Sequence, residues 1–557
     1  MRHQNMKLAL IASPHTHPTC PPLGPALLSA YLDKHLPDAD VSVFDLSLEY
    51  YLSSFDKIKK GIFGIRLYRW DEETTARHLE QAVSFLRSCK PSHANLKEYH
   101  HWATIFLSFE NIFNAFMAEM AEKALTGQGI PKKVENFFED LIEPVLATKP
   151  DLIGFSILYQ QQIVFAALLA KLAKKQSKAK IVVGGASLSV MTAPEKLLTI
   201  PLVQEKGDAH AICCKEFFDY LLPGEGEAGL YHLCQAENSA DLAKVPNLIY
   251  FSGNDLRINA PAMVELDTLP YPDFSHFKLD NYLTPEPVLP LMSSRGCPWG
   301  RCTFCTHHHT YLRYRTRRIE ECVAEIKFLQ KEYNCNHFYF YDEMIPAQRF
   351  KKLAGQILDE GLVVHYGAYA KPVKQFSSDL CRLVQRSGCR VLQWGVETGS
   401  QRILDLMDKG TDINEVANVL SNAAQAGIYN LVFILFGFPS ETKAELKQTL
   451  AFLDRNREDI HGLSSGTFVL NEGAQIHREP GKFFISRILE RKNESLLHSG
   501  LDYEVSQGMS TQEVWRHFNA NQKLLNEISL SRRFGTYREH LLIYGASNSD
   551  EESKIVG

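Results

Sequence analysis

Short apolar runs separated by amphipathic stretches mark the first 235 residues. The runs predict strands at residues 7–12, 40–45, 151–157 and 180–183, and the stretches predict helices at residues 23–32 and about 161–175. Apolar strands that alternate with amphipathic helices are typical of a parallel, doubly wound α/β sheet. Such sheets bind ligands beyond the carboxyl ends of their strands.

An aromatic-rich insertion, residues 48–149, separates the second and third of these strands. Its periodicity is mostly helical, and a long helix is predicted over Asn95–Leu125 with aromatic side chains along one face. The insertion either packs on itself as a subdomain or caps a substrate pocket. The pattern leaves both interpretations open.

The second half of the chain repeats a strand–helix unit. Residues 236–285 form a connector with a short hairpin, and strands are then predicted at residues 288–292, 337–341, 364–370, 390–396 and 429–436. This repetition predicts a partial or full (β/α) barrel over residues 286–480, with its chemistry at the strand ends. Residues 481–557 predict a helical extension, with helices at 484–496 and 511–528 and a polar, disordered tail from 546.

Composition narrows the class of protein. The chain has 557 residues, of which 45% are hydrophobic and 22% charged, and its net charge is −5. This length implies two to four domains, and the charge gives no electrostatic basis for nucleic-acid binding. The longest apolar runs have the length of strands and cannot span a bilayer. The start of the chain lacks the pattern of a signal peptide, and the scattered cysteines favour a reducing, cytoplasmic location.

Three cysteines, Cys297, Cys302 and Cys305, lie within nine residues of a loop that follows an apolar strand. Turns at Pro298 and Gly300 fold the loop, so that three thiolates can surround one soft metal centre. A 4Fe-4S cluster with three protein ligands would leave one iron open to an exogenous molecule.

A structural zinc site is the main alternative. His307, His308 or His309 could supply a fourth ligand, although zinc knuckles usually add a second, distant cysteine pair, and none stands out. A disulfide is disfavoured, because three cysteines are an odd set and nothing else about the chain indicates secretion.

The segment from Arg295 to Cys305, with Phe304 directly before the last cysteine, resembles the cluster loop of radical S-adenosylmethionine (SAM) enzymes. Four residues separate Cys297 and Cys302, where the family usually has three, so the geometry of this loop is left open. The resemblance implies that the three cysteines are the catalytic metal ligands of a 4Fe-4S cluster whose open iron binds SAM.

Further residues resemble SAM contacts of the same family. An acidic pair ending in Glu343 follows the second barrel strand, and Glu397 and Ser400 follow a later one. The methionyl ammonium of SAM needs anionic or carbonyl partners, and the ribose hydroxyls need acceptors. The resemblance therefore implies SAM contacts at Phe304, Glu343, Glu397 and Ser400.

The first half of the chain resembles the cobalamin-binding, flavodoxin-like domain of cobalamin-dependent radical SAM proteins. The resemblance is carried by Pro21–Gly24, Val183–Gly185, Gly224–Glu227 and Leu269–Asp273. The implied cobalamin contacts are Leu23, Gly24, Ser156, Gly184, Gly185, Gly224 and Glu225. The Asp-x-His-x-x-Gly signature of a cobalt-ligating histidine is missing, and the lack of Gly-x-Gly-x-x-Gly disfavours a nicotinamide dinucleotide.

Together these resemblances imply an enzyme that uses a 4Fe-4S cluster, SAM and cobalamin to methylate an unactivated carbon of a natural product or peptide. A non-methylating rearrangement, cyclisation or oxidation is the alternative reaction. A zinc-stabilised, corrinoid-binding regulatory protein is the alternative from another class, and an RNA-modifying methylthiotransferase is disfavoured. The expected partners are a small-molecule or peptide substrate and an electron donor such as flavodoxin or ferredoxin, without nucleic acid or a membrane span.

Overall fold

Two largely parallel β-sheets, one in each half of the chain, form the framework of the structure. This computed structural model describes residues 6–203, 212–307, 310–489, 500–528 and 537–556. Its strands are β1 (Lys7–Ala12), β2 (Asp40–Asp45), β3 (Leu152–Ser156), β4 (Lys180–Gly184), β5 (Pro201–Val203), β6 (Ile212–Cys213), β7 (Tyr220–Leu222), β8 (Ile249–Ser252), β9 (Asp255–Ile258), β10 (Val288–Leu291), β11 (Ser294–Arg295), β12 (Arg315–Thr316), β13 (His337–Phe340), β14 (His365–Ala370), β15 (Cys389–Glu397), β16 (Tyr429–Phe436), β17 (Gly462–Thr467), β18 (Ile485–Leu489) and β19 (Asp502–Val505).

Helices cover the sheets and form most of the insertion. They are α1 (Leu23–His35), α2 (Leu46–Lys59), α3 (Glu72–Ser88), α4 (Leu96–Leu125), α5 (Lys132–Ala147), α6 (Gln162–Gln176), α7 (Ala186–Ser189), α8 (Lys196–Thr199), α9 (Gly226–Gln235), α10 (Ser239–Leu242), α11 (Ile319–Tyr333), α12 (Ala347–Asp359), α13 (Ser378–Arg386), α14 (Gln401–Leu406), α15 (Ile413–Gln425), α16 (Lys443–Arg455), α17 (Gln475–Arg478), α18 (Thr511–Ala520), α19 (Gln522–Ile528) and the C-terminal helix (Arg538–Val556).

The first sheet has seven strands in the order β2-β1-β3-β4-β7-β8-β9. Strands β2, β1, β3, β4 and β7 are parallel, and the hairpin β8–β9 adds an antiparallel edge. An order that reverses beside β1 places a ligand crevice at the carboxyl ends of β1 and β3. The predicted doubly wound, flavodoxin-like sheet is therefore confirmed.

The second sheet has six parallel strands in the order β10-β13-β14-β15-β16-β17. Sequential strands are neighbours, and helices α11, α12, α13, α15 and α16 cross between them, as in a (β/α) barrel. Strands β10 and β17 end the ladder on its two sides. The predicted barrel is confirmed in its partial form.

The C-terminal helix lies against the inner face of this partial barrel. It contacts β13, β14 and β15, and its residues Leu541 and Leu542 share a core with Tyr339, Val391 and Leu431. Alternate residues of the same strands pack outward against the crossing helices. The helix therefore fills the interior of the open barrel.

The C-terminal extension differs from its prediction. The predicted helix over 484–496 is the strand β18 as far as Leu489, and it pairs antiparallel with β19; residues 490–496 lie outside the described ranges. The segment from Ala546, predicted to be disordered, continues the C-terminal helix to Val556. The helix continues there because its first turns are buried in the barrel. Tertiary packing stabilises a helix that its own polar sequence would not stabilise.

The insertion is joined to the core of the first domain. Helices α2 to α5 share one hydrophobic cluster with α6, with one face of the first sheet and with the C-terminal helix, so the insertion is not a self-contained subdomain. Glu110 of α4 also reaches the loop after β1, where it accepts a hydrogen bond from His17. Within the described ranges no helix, including the 30-residue α4, is long and apolar enough to cross a membrane.

Candidate active site

A cavity of about 1370 Å³ lies between the carboxyl ends of the two sheets. Among the residues predicted to bind cofactors, those that line it are Leu23, Gly24, Ser156, Gly184, Gly185, Gly224, Glu225 and Glu343. Pockets for one drug-sized ligand measure roughly 300–1,000 Å³. The cavity is therefore large enough for a macrocycle together with a second molecule.

Close packing shapes the wall that the first domain contributes to the cavity, which we call the glycine-rich wall. A Cβ atom at Gly24 would stand 3.2 Å from Oγ of Ser156, and the φ of +110° at Gly185 places its backbone against Ile157. The backbone N–H of Gly224 donates to the Ser189 hydroxyl at 2.8 Å. These contacts bring the ends of β3, β4 and β7 together with α1 at one edge of the cavity.

The loop that carries the three cysteines is anchored at its start by Asp342. This carboxylate, 1% exposed, accepts hydrogen bonds from the backbone N–H of Ser293 at 2.9 Å and from its hydroxyl at 2.8 Å. Gly296 adopts a φ of +84°, and a Cβ there would approach the Arg313 carbonyl oxygen to 3.1 Å. Strand-end polar residues thus fix the chain as it enters the cysteine loop.

The longer spacing between Cys297 and Cys302 has a structural counterpart in Trp299. The Trp299 indole donates to the Asp408 carbonyl at 2.8 Å, and Arg301 Nε donates to the Asp408 carboxylate at 3.0 Å. Lys371 Nζ lies 3.1 Å from the centre of the Trp299 ring. The four intervening residues are therefore held against the segment that follows α14.

The three cysteines are reduced, partly buried and electrostatically coupled to one another. Burial raises the pKa of Cys305 to about 12. Burial also raises the pKa of Cys302, while the positive charge of Lys409 acts to lower it. Thiols in such surroundings ionise when they bind a metal centre. Among the described residues no three His, Cys, Asp or Glu side chains converge closely enough for a single ion. A cubane does not need this, because each cysteine binds a different iron.

The residues predicted to contact SAM are arranged in different ways. Glu343 lines the cavity and accepts from His307 Nδ1 at 2.8 Å, a hydrogen bond that raises the pKa of His307. Glu397 pairs with Lys409 at 2.6 Å, next to Cys302. Ser400 caps α14 and donates to Glu445, so its hydroxyl is already engaged.

Phe304 packs against the hydrophobic cluster of Ile403 and Met407 and does not line the cavity. Phe304 therefore supports the cysteine loop through this apolar contact. The zinc alternative invoked His307, His308 or His309. His307 hydrogen-bonds to Glu343, and His308 and His309 lie outside the described residues.

A buried ion network joins the two sheets beside the cavity. Arg295, two residues before Cys297, pairs with Glu225 at 3.1 Å and also with Glu227, and their side chains are 4%, 3% and 4% exposed. Arg315 binds the other side of Glu225. The Glu225 carboxylate, predicted to contact cobalamin, is therefore fully engaged with arginines.

The comparisons with known proteins agree with this geometry. The Radical SAM superfamily model matches residues 291–453, and the B12 binding domain model matches residues 112–201. An uncharacterized methyltransferase of Pyrococcus horikoshii is 25% identical over 349 residues, which are 61% of this chain and 72% of the relative. The anaerobic magnesium-protoporphyrin IX monomethyl ester cyclase of Rubrivivax gelatinosus is 23% identical over 320 residues, covering 55% and 54%.

A solved structure shows the same fold over most of the chain. The cobalamin-dependent SAM radical enzyme OxsB, with aqua-cobalamin and SAM bound, aligns at a TM-score of 0.61 and 15% identity. The alignment covers 94% of this chain and 66% of OxsB. Residues 291–453 therefore form a radical SAM domain. More narrowly, this domain follows a B12-binding domain in the same chain.

This pair of domains requires three cofactors, a 4Fe-4S cluster, SAM and cobalamin. The described residues fit them. Three partly buried thiols, two of them near Lys409, suit the cluster; the engaged pair Glu343–His307 borders the cavity, and the cavity volume suits a corrin.

Several site residues carry no sequence motif. Arg538 and Glu539 line the cavity from the C-terminal helix, and His17 lines it from the loop after β1. Trp299 and Asp408 lie 109 residues apart and meet only in the fold. Trp299 was the one signal in the sequence for this contact, because a tryptophan in a glycine-rich loop needs a packing partner.

We predict that Arg295→Met destabilises the protein by about 3–5 kcal/mol, because Glu227 would be left as a buried, unpaired charge and Glu225 would keep only Arg315. Urea unfolding monitored by tryptophan fluorescence would measure the loss. Arg318→Met is the matched control, since Arg318 pairs with Asp267 at 61% exposure and should cost about 0–1 kcal/mol. Equal losses in the two variants would refute a special role for the network.

Gly410→Ala should disturb the cysteine loop. Gly410 has a φ of +60°, and its added Cβ would collide with the Trp299 ring. We expect a loss of stability of about 1–3 kcal/mol and lower iron content after reconstitution. In Gly355→Ala the Cβ on α12 meets no atom within 4 Å, so that variant should keep wild-type iron content. Wild-type iron content in Gly410→Ala would show that the Trp299 contact does not hold the loop.

Proposed function

We propose that the protein methylates an unactivated carbon of a natural product or peptide. The observation that carries this proposal is the cavity onto which the carboxyl ends of both parallel sheets open, between the glycine-rich wall of the first domain and the residues Arg295 and Thr306 that flank the cysteine loop. When bound, the cofactors supply one-electron cleavage of SAM and methyl transfer through cobalt. The similarity to the uncharacterized methyltransferase of Pyrococcus horikoshii supports the same reaction.

The residues of the chain itself would bind, orient and shield the cofactors. Cys297, Cys302 and Cys305 would hold the cluster, and Glu343 and Glu397 would hold the methionyl ammonium of SAM. Each of these carboxylates already has a cationic or imidazole partner, which fixes its direction before SAM enters. The two sheets and the C-terminal helix line the space in which the cofactors would meet the substrate.

A cyclisation or rearrangement is the second candidate. It is favoured by the similarity to the Rubrivivax gelatinosus cyclase, which covers 55% of this chain, close to the share covered by the methyltransferase relative. The two reactions differ in their products from SAM, because methylation through cobalamin also forms S-adenosylhomocysteine. A one-electron donor such as flavodoxin or ferredoxin would serve either reaction.

Anaerobic reconstitution with iron, sulfide and hydroxocobalamin tests the proposal. After addition of dithionite and SAM, we expect a cluster absorption band, bound cobalamin and 5′-deoxyadenosine, followed by S-adenosylhomocysteine in the presence of substrate. The triple variant Cys297→Ala, Cys302→Ala, Cys305→Ala should lose the cluster and SAM cleavage. Cys89→Ser, at a thiol that bonds Asn95 in the insertion, should retain both. Zinc without iron in the wild-type protein would refute the proposal.

Glu397→Gln should weaken SAM binding about ten-fold, because a charge-assisted hydrogen bond to the methionyl ammonium is lost while the amide still reaches Lys409. Equilibrium dialysis of labelled SAM against the reconstituted protein measures the change, and iron content should stay the same. Glu360→Gln, at an exposed pair with Lys327, is the control. Unchanged affinity would assign Glu397 to holding Lys409.

A further inference from the structure

One end of the cavity is formed mainly by residues outside the two matched family domains. The loop after β1 supplies His17 and Cys20, and the C-terminal helix supplies Arg538 and Glu539. Tyr341 and Tyr369, at the ends of β13 and β14, complete this end. We call this set the polar wall; it faces the same cavity as the glycine-rich wall of the first domain.

Arg538 is held by aromatic rings and by one carboxylate. Its guanidinium carbon lies 4.3 Å from the ring centre of Tyr341 and 4.7 Å from that of Tyr339. Its Nε donates to Glu539 at 3.0 Å, and its Nη1 donates to the hydroxyl of Tyr369. Its Nη2 makes no hydrogen bond with the described residues, so this N–H group is left to face the cavity.

His17 is held in a similar way by a relay that begins in the barrel. The hydroxyl of Tyr537 donates to one oxygen of Glu110, and Nδ1 of His17 bonds to the other oxygen at 3.1 Å. Burial lowers the pKa of His17, but the charge and hydrogen bond of Glu110 outweigh this and raise the pKa above its ordinary value. With Nδ1 engaged, Nε2 is the nitrogen left for the cavity.

The two carboxylates that hold His17 and Arg538 are more buried than these partners. Glu110 and Glu539 are 2% and 4% exposed, whereas His17 and Arg538 are 37% and 24% exposed. Both oxygens of Glu539 are engaged, one by Arg538 and the other by Thr19. A molecule in the cavity therefore meets the guanidinium of Arg538 and the imidazole of His17, whose Nε2 donates when the ring is protonated, while Glu110 and Glu539 lie behind them.

We propose that His17 and Arg538 bind an anionic oxygen group, a carboxylate or a phosphate, on the substrate. An anion gains charge-assisted hydrogen bonds from both side chains, and arginine suits the geometry of carboxylate and phosphate. The stacked rings of Tyr369 and Phe433, with centroids 6.1 Å apart, offer an apolar surface beside this group. The inference rests on the proposed function, because it names the substrate class of the same cavity.

Isothermal titration of the reconstituted holoenzyme with benzoate and with phenyl phosphate tests the proposal, and benzamide is the neutral probe of the same shape. We expect each anion to bind and benzamide to bind at least about ten-fold more weakly. Arg538→Gln and His17→Gln should each weaken anion binding about ten-fold and leave benzamide unchanged. Arg382→Gln, at an exposed pair with Asp379 outside the cavity, should bind both anions like the wild type.

The two anions distinguish a carboxylate substrate from a phosphate substrate by their relative affinity. Benzamide that binds as tightly as benzoate, or anion affinity that survives in both variants, would overturn the proposal, as would the absence of anion binding. If Arg538→Gln does not fold, His17→Gln and the charge-conserving Arg538→Lys carry the test. Bound cobalamin and 5′-deoxyadenosine, measured on the same preparations, report separately on the proposed function. A preparation that lacks both but binds benzoate would refute that function and not the anion site.

Discussion

The buried ion network of Arg295, Arg315, Glu225 and Glu227 fixes the position of one sheet relative to the other. Glu225 and Glu227 follow the last parallel strand of the first sheet, and Arg295 immediately precedes the cysteine loop. Charges buried from water are costly to separate, because each would remain desolvated without its partner. The glycine-rich wall and the cysteine loop therefore keep a constant separation, which is the condition for two cofactors to act on one substrate.

The sequence predicts the sheets better than it predicts the connections between them. Strands β1, β2 and β16 were predicted with the bounds that the structure has. Continuous apolar runs marked β1 and β16, and the alternation of polar and apolar residues marked the edge strand β2. Strand β17 was missed, because Gly462–Thr467 is mostly glycine and serine and is ordered by pairing with β16. The C-terminal helix was missed for a similar reason, since its stability comes from the barrel interior.

The residues of the candidate site also fall into two groups, those that a local sequence pattern predicts and those that only the fold brings together. Cysteine spacing and glycines after strands were visible because they are local, and eight of the predicted contacts line one cavity. Glu225 was visible too, but its arginine partners lie 70 and 90 residues further along, beyond the reach of any local pattern. His17 and Arg538 lie 521 residues apart in a sequence that gives neither a motif. Their common location depends on the insertion and the C-terminal helix, which fold against each other.

The C-terminal helix also bears on the order in which the protein is completed. Tyr339, Val391 and Leu431 on the inner face of the barrel bury themselves against a segment that leaves the ribosome some 100 to 200 residues later. Until then the barrel has an open, apolar interior and the cavity lacks one of its walls. Docking of the C-terminal helix therefore narrows the way into the cavity that bulky cofactors must take.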